Sequence, residues 1–267
     1  MSPMSALLAK DLLDLRQNPS VFIPAALTGF FSILLPFFVA IIVPYFAGER
    51  LSDSRDFEIA IEMYRDQPSS RGLDPEGAIQ AWIFQQFLVL LVLAPVAGSM
   101  SVAAYSVIGE KQAKTLEPLL ATPITTFELL AAKVLGALLP ALALTALCFG
   151  VYVGGAALFA RPGVFLELLT PRALAIVFVL GPLVALAALQ LAVCVSSRVN
   201  DPRSAQQFGA LIILPLMALV VAQLIGRLTL TLPLLTFISL LLVGINIGLM
   251  LIGIGLFDRE SILTRWK

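Results

Sequence analysis

The 267-residue chain is 59% hydrophobic and only 13% charged, and its 17 basic residues balance its 17 acidic residues. A charged fraction about half the soluble average excludes an ordinary soluble globular protein, and a net charge of zero provides no basic field for nucleic acid. The chain has no histidine. It therefore lacks the commonest general base and metal ligand, and Ser-His and Cys-His catalysis are excluded.

The first twenty residues are predicted to lie in the cytoplasm. Apolar residues recur there at helical spacing between residues 4 and 18. They are Met4, Leu7, Leu8, Leu12 and Leu15. This pattern predicts an amphipathic helix on the cytoplasmic membrane surface, which Asn18 and Pro19 end before the first span.

Six apolar stretches are long enough to cross the hydrocarbon core as helices, which takes about 20 residues each. They are 21–47, 81–107, 127–160, 173–196, 208–225 and 234–257. No Asp, Glu, Lys or Arg lies in the central part of any of these stretches. Because helices satisfy their own backbone hydrogen bonds in lipid, we expect an all-α, polytopic membrane protein with six transmembrane helices.

The orientation follows from the basic residues. With both termini in the cytoplasm, cytoplasmic segments carry ten basic residues and outside segments carry seven, and all five lysines lie inside. The first outside loop is acidic, with eight Asp or Glu against four Arg. The expected connections of this single transmembrane domain are 48–80, 161–172 and 226–233 outside, and 108–126, 197–207 and 258–267 in the cytoplasm.

The cytoplasmic segment between the second and third spans mixes charged and apolar residues. A merely solvated loop has little use for Leu116, Leu119 and Leu120. We interpret the segment as a surface on which a soluble partner docks. Thr125, followed three positions later by Glu128, is a capping-box pattern and predicts the start of the third helix.

Prolines lie inside five of the six spans, where each removes a backbone hydrogen bond and can kink its helix. They are Pro36, Pro95, Pro140, Pro182 and Pro215. Two interpretations stay open, namely kinked packing and a hinge for a conformational cycle.

Polar residues within the spans also have two interpretations. Gln190, Gln223 and Asn246 either form hydrogen bonds between helices or line a translocation path. The two cysteines, Cys148 and Cys194, lie in apolar runs and are interpreted as small buried side chains without a disulfide or metal.

Three cytoplasmic stretches together resemble the permease subunit of type-2 ATP-binding-cassette (ABC) exporters, in particular small bacterial permeases. They are LLAKDLLDLRQNP (7–19), GEKQAKTLEPLLATPITTFELLAAK (109–133) and SSRVNDPRSAQQ (196–207). The second is the most specific, because an acidic–basic pair precedes Thr-Leu-Glu, two leucines and Thr-Pro. The chain departs from many relatives at Ala113 and Lys114, where those relatives carry glycine.

The resemblance implies that residues 109–126 insert into a groove on an ABC ATPase. Leu116, Leu119 and Leu120 would supply apolar contact, and Glu110, Lys111 and Glu117 would supply charge pairing. The implied coupling residues are Glu110, Lys111, Thr115, Leu116, Glu117, Leu119, Leu120 and Pro123, and those of the second cytoplasmic loop are Arg198, Asp201, Pro202 and Arg203.

No GxxxxGK[ST] phosphate loop occurs in the chain, so ATP and its Mg would bind to a separate ATPase, and this chain would hold no cofactor or metal and would not itself be an enzyme. The resemblance implies two ATPase subunits and two permease subunits, identical or siblings, in the plasma membrane of a bacterium or archaeon. Spans without charge suit export of an apolar or amphipathic substrate, and sodium is the alternative.

Three rival functions are weighed against this one. A secondary transporter or channel usually shows charged residues in the membrane or broken helices in paired repeats, and neither pattern is found. An intramembrane enzyme lacks the residues for the usual hydrolytic sites. A scaffold or sensor that binds an ATPase without transport is also compatible with the sequence.

Overall fold

The computed structural model describes residues 23–48, 73–112, 125–196, 210–225 and 228–256, with Leu13, Arg50, Leu51 and Gln207 as isolated positions. Within these ranges all regular structure is helical, which confirms the predicted all-α class. The predicted surface helix at 4–18 lies outside the described residues apart from Leu13.

The helices of the described ranges are numbered in chain order. They are α1 (Ile23–Ala47), α2 (75–112), α3 (Thr126–Phe159), α4 (Val164–Glu167), α5 (171–196), α6 (Ile213–Leu224) and α7 (Leu232–Leu256). A single 3-10 turn, Ala210–Ile212, precedes α6.

Five of these helices, α1, α2, α3, α5 and α7, are long and apolar enough to cross a membrane. The chain is therefore an all-α, polytopic membrane protein. The predicted crossing at 208–225 corresponds to α6, which has 12 α-helical residues in the described part. A full crossing takes about 20 residues, so a sixth crossing stays a prediction.

Two of the helices begin earlier than the apolar stretches alone indicate. Helix α2 begins at Pro75, where the side chain of Asp74 accepts a hydrogen bond from the Gly77 N–H (2.9 Å). Helix α5 begins at Pro171, and Thr170 provides its side-chain cap. Proline suits the first helical position because its missing N–H has no partner there in any case. The ordered helices thus extend into the predicted outside loops.

Helix α2 is the centre of the bundle. Its apolar segment is 83% buried inside the protein, against 22% for α1 and 11% for α7. It packs against α1, α3 and α5 along its length, and α6 packs against its first half. Helices α1 and α7 turn their apolar side chains outward, as contact with a bilayer requires.

Prolines coincide with changes in helix type. Each lacks the N–H that would bond to the carbonyl four residues earlier, so the preceding turn tightens to 3-10 geometry or widens to π geometry. The irregular turns are Phe38–Ile42 before Pro44, Leu88–Val92 before Pro95, and Ile176–Leu180 before Pro182. Pro140, in contrast, lies within the uninterrupted helix α3. A hinge function for these turns stays a prediction.

An aromatic cluster joins α1, α2 and α3. The ring of Phe84 lies edge-on to Phe37 (4.9 Å between centroids) and to Tyr152 (5.5 Å). Tyr152 is fully buried, and its hydroxyl donates to the Phe84 carbonyl (2.8 Å). Gly155 allows the Phe37 ring to approach, because a Cβ there would lie 2.7 Å from the ring.

Gly98 marks another close approach, where α2 crosses α1 and α3. A Cβ at this position would lie 2.9 Å from the Ala25 Cβ and 3.4 Å from the Ala141 Cβ. Both neighbours are small side chains at 0% exposure, so neither can move aside. Small residues permit such close helix packing in membranes.

We expect Gly98→Val to destabilise the bundle by about 1–3 kcal/mol, because the added methyl groups overpack this crossing. The matched control is Gly150→Val in α3, where a Cβ meets no atom within 4 Å. Thermal unfolding of both variants in detergent measures the difference. Equal shifts of the midpoint would show that Gly98 does not set the helix spacing.

Candidate functional site

The predicted coupling segment is bordered by two long helices. Helix α2 runs from residue 75 to residue 112, roughly 55 Å at about 1.5 Å per residue, whereas the hydrocarbon core is about 30 Å thick. Its last two turns include the backbone of Glu110 and Lys111. Helix α3 has 34 residues and is similarly longer than a crossing needs.

A capping box fixes the start of α3 and confirms that prediction. The Thr125 side chain accepts a hydrogen bond from the Glu128 N–H (3.2 Å), and Glu128 Oε2 accepts one from the Thr125 N–H (2.9 Å). Two backbone N–H groups at the helix start are therefore satisfied reciprocally. The chain enters α3 at a defined point directly after the predicted coupling segment.

The other predicted cytoplasmic site residues lie outside the described part of the chain. In the coupling segment these are Thr115, Leu116, Glu117, Leu119, Leu120 and Pro123, and in the second cytoplasmic loop they are Arg198, Asp201, Pro202 and Arg203. Their assignment stays a prediction.

Lys133 is buried, which the sequence reasoning missed. Its side chain is 4% exposed on the first part of α3, next to the buried residues Leu130, Ala132 and Val134. It had been interpreted only as a cytoplasmic positive charge. Lys133 lies seven residues after the first residue of α3, within an apolar stretch. That position is the signal from which its burial could have been predicted.

Asn246 forms an interhelical hydrogen bond, one of the two roles predicted for it. Its Nδ2 donates to the Leu183 carbonyl of α5 (3.1 Å) and to the Leu242 carbonyl of its own helix α7 (2.8 Å). The Oδ1 atom is buried and has no hydrogen-bond partner among the described residues. The Nδ2 group of this amide therefore bonds α7 to α5, whereas its Oδ1 atom bonds to no described residue.

Gln223 and Gln190 are also buried, and each has at least one amide atom without a hydrogen-bond partner among the described residues. Gln223, on α6, is 1% exposed, and neither of its amide atoms has a hydrogen-bond partner within the described ranges. Gln190, on α5, has a buried Oε1 without a partner there and lines a small apolar groove with Cys194 and Gly253. A buried polar atom without a partner is rare in proteins, so these two amides are the strongest candidates for a functional role.

Both cysteines are buried, as predicted, and no disulfide joins them. Cys194 lies beside Gln190 in the groove, and its Sγ is 3.8 Å from the Leu249 carbonyl of α7. Cys148 contacts the position of Gly29 in α1, where a Cβ would lie 2.8 Å from its sulfur. No group of His, Cys, Asp or Glu that could hold a metal occurs among the described residues.

A second polar cluster, also missed by sequence reasoning, lies at the Pro75 end of the bundle. Glu167, expected in an outside loop, is 4% exposed, and its carboxylate accepts a hydrogen bond from Gln85 Nε2 (3.1 Å). Gln80 Oε1 accepts one from the Arg161 N–H (2.9 Å). Each pair joins residues about 80 positions apart, so spacing in the sequence carries no signal for it.

Comparison with known proteins decides the family. The model of a family described as "ABC-2 family transporter protein" matches residues 73–264, which is most of the chain. The chain belongs to the ABC-2 transporter family. It is a permease-type membrane component of an ABC transporter, as the resemblance of its cytoplasmic stretches predicted. In this ABC-2 protein, the region that matches the family model begins at residue 73, just before α2. It does not include α1 or the residues before α1. Comparisons with curated proteins and with solved structures give no match.

We expect Gln223→Leu to leave the stability of this ABC-2 protein unchanged or to raise it by about 1 kcal/mol, because an apolar side chain replaces two unbonded polar atoms. Asn246→Leu should instead lower stability by about 0.6–1.7 kcal/mol, since it removes the bond between α7 and α5. Thermal unfolding in detergent tests both. A Gln223→Leu protein less stable than Asn246→Leu would contradict the assignment of Gln223 as unbonded.

Proposed function

We propose that this ABC-2 family chain is the permease subunit of an ATP-driven exporter and that a separate ATPase subunit supplies the energy. The observation that carries the proposal is the family match over residues 73–264, which includes both predicted cytoplasmic loops and α2 to α7. The long helices α2 and α3 support it, because they border the predicted coupling segment and continue from it along the apolar part of the bundle.

The coupling step in this proposal begins at residues 109–126. Leu116, Leu119 and Leu120 contact an apolar groove on the ATPase, and Glu117 fixes the register by charge pairing. ATP-driven closure of two ATPase subunits displaces the segment. Because the capping box holds the start of α3 and α2 continues to residue 112, that displacement tilts both helices. The two states differ in their contacts with the ATPase, as a conformational switch requires.

The proposed assembly holds two ATPase subunits and two permease subunits, either identical or paired with a sibling. ATP and Mg bind to the ATPase, and this chain contributes no nucleotide site. The lipid bilayer surrounds the assembly. We place it in the cytoplasmic membrane of a bacterium or archaeon, with both termini and all five lysines inside.

The proposed substrate class is apolar or amphipathic. The buried atoms without hydrogen-bond partners in α5, α6 and α7 belong to the neutral amides Gln190, Gln223 and Asn246. Neutral amides recognise neutral polar groups and give little attraction to a highly charged cargo. Lipids, drugs and peptides therefore come first, and sodium is the alternative.

The coupling segment is tested with the double variant Glu117→Lys, Leu120→Asp. We expect it to lose stable association with the ATPase, because it reverses the charge pairing and places a carboxylate in an apolar contact. The measurement is co-purification of the ATPase encoded nearest to this chain, followed by ATP hydrolysis in lipid.

The matched control makes equivalent changes in the predicted outside loop, one apolar residue to Asp and one Glu to Lys, as Ile61→Asp with Glu62→Lys. This control should retain the ATPase. Loss in both variants would point to misfolding, and loss in the control alone would reverse the orientation. If neither variant loses the ATPase, residues 109–126 are not the coupling segment.

The rival functions predict other results. A chain that purifies alone and transports or conducts without ATP is a secondary transporter or channel. A bound ATPase whose turnover never responds to any candidate substrate indicates a scaffold or sensor. Covalent labelling of a serine or cysteine by an activity probe would indicate an enzyme.

A further inference from the structure

The connection between α3 and α5 folds back onto the bundle. Residues 160–170 include the short helix α4, and its first residue, Val164, and the residue directly after it, Leu168, are both 0% exposed. Gly163 turns the chain into α4 with a left-handed backbone (φ +92°), and a Cβ there would lie 3.0 Å from the Leu73 side chain. The connection therefore packs as part of the core at the Pro75 end of α2.

Two glutamines of α2 hold this connection by hydrogen bonds. Gln80 Oε1 accepts from the Arg161 N–H (2.9 Å), while its Nε2 donates to the Ala40 carbonyl of α1 (3.4 Å). Gln85 Nε2 donates to the backbone carbonyl of Glu167 (3.2 Å) and to its carboxylate (3.1 Å). The first glutamine holds the start of the connection, and the second holds the end of α4.

The surface contacts around these bonds are weaker. Arg161 Nε lies 3.9 Å from Asp74 Oδ2, and both side chains are about half exposed, so this pair adds little stability. The buried contacts of Gln80 and Gln85 are therefore the ones that fix the connection.

The carboxylate of Glu167 is buried in this arrangement. A carboxylate away from water is strongly unfavourable unless it is hydrogen-bonded, and Gln85 supplies a bond in the closed position. If Gln85 releases it, Glu167 must move to water, and α4 must move with it because Glu167 is its last residue. Val164 and Leu168 would then leave the core together.

We propose that residues 160–170 are a latched lid over the Pro75 end of the bundle, closed by Gln85 on Glu167 and by Gln80 on Arg161. Release of the Glu167 latch detaches the lid as one unit. The proposal needs neither an ATPase nor a substrate, so it stands independently of the proposed function.

Hydrogen–deuterium exchange of the full chain in lipid nanodiscs tests the latch. We expect Gln85→Ala to accelerate exchange of the amides in 161–169 by about tenfold, because it removes both bonds to Glu167 and the lid opens locally. Glu167→Ala should accelerate exchange less, because the bond of Gln85 to the backbone carbonyl remains. The double variant should exchange no faster than Gln85→Ala, since Gln85 makes both contacts.

Two matched variants control for position and chemistry. Glu167→Gln keeps an oxygen acceptor for Gln85 and should exchange at the wild-type rate. Leu166→Ala changes the neighbouring residue of α4, whose side chain is 57% exposed, and should do the same.

Exchange in α7 separates a latch from a general loss of folding, because α7 packs mainly against α5. Acceleration confined to 161–169 supports the lid. Acceleration in α7 as well, additive effects in the double variant, or wild-type exchange in Glu167→Ala would each overturn it.

Discussion

The constraint on which the bundle depends is that each backbone carbonyl inside the hydrocarbon needs a hydrogen-bond donor. Pro44 deprives the Ala40 carbonyl of its donor, and Gln80 of α2 donates to that carbonyl instead. The hydroxyl of Ser32 donates to a carbonyl in the 3-10 turn of α2 (2.9 Å), and Tyr152 donates to one just before that turn. The irregular turns thus supply the acceptors of the two bonds that attach α1 to α2. Side-chain hydrogen bonds of this kind contribute roughly 0.6–1.7 kcal/mol each in membranes, so several together matter for the bundle.

These attachments lie in the first part of α2, before and within its 3-10 turn. Between residues 74 and 90, α2 is bonded to α1, to α3 and to the connection that contains α4. Beyond the 3-10 turn, the Ser99 hydroxyl of α2 donates to the Ala185 carbonyl of α5 (3.3 Å). Within the proposed function, a displacement applied near residue 112 reaches the part after the 3-10 turn first and the part before it last. The 3-10 turn lies between them, where the helix departs from regular geometry.

The helical class, the long apolar crossings and the capping box at Thr125 could be read from the sequence, because each depends on residues close together in the chain. The structure adds what depends on distant residues. Glu167 was expected in a solvated loop, and only its contact with Gln85 explains its burial. The burial of Lys133 could not be predicted from the spacing of apolar residues, for the same reason. That spacing does not show which faces of α3 other helices cover. Asp74 and the proline after it are a local signal for the early start of α2. Both residues precede the apolar stretch, so the apolar stretch alone does not reveal that start.

The unbonded amides connect stability with function. A buried amide atom without a hydrogen bond costs about 1–3 kcal/mol, and leucine at the position of Gln223 would avoid that cost. Such a residue is informative because one static arrangement gives no reason for it. Gln223 lies on the face of α6 that is buried against the rest of the protein, together with Leu216 and Val220, and α6 packs on the first half of α2. The described residues offer Gln223 no bonding partner in this arrangement, so a partner would come from a different arrangement of the bundle or from a bound molecule. Both sources fit the proposed function, because a transport cycle rearranges the helices and brings a substrate between them.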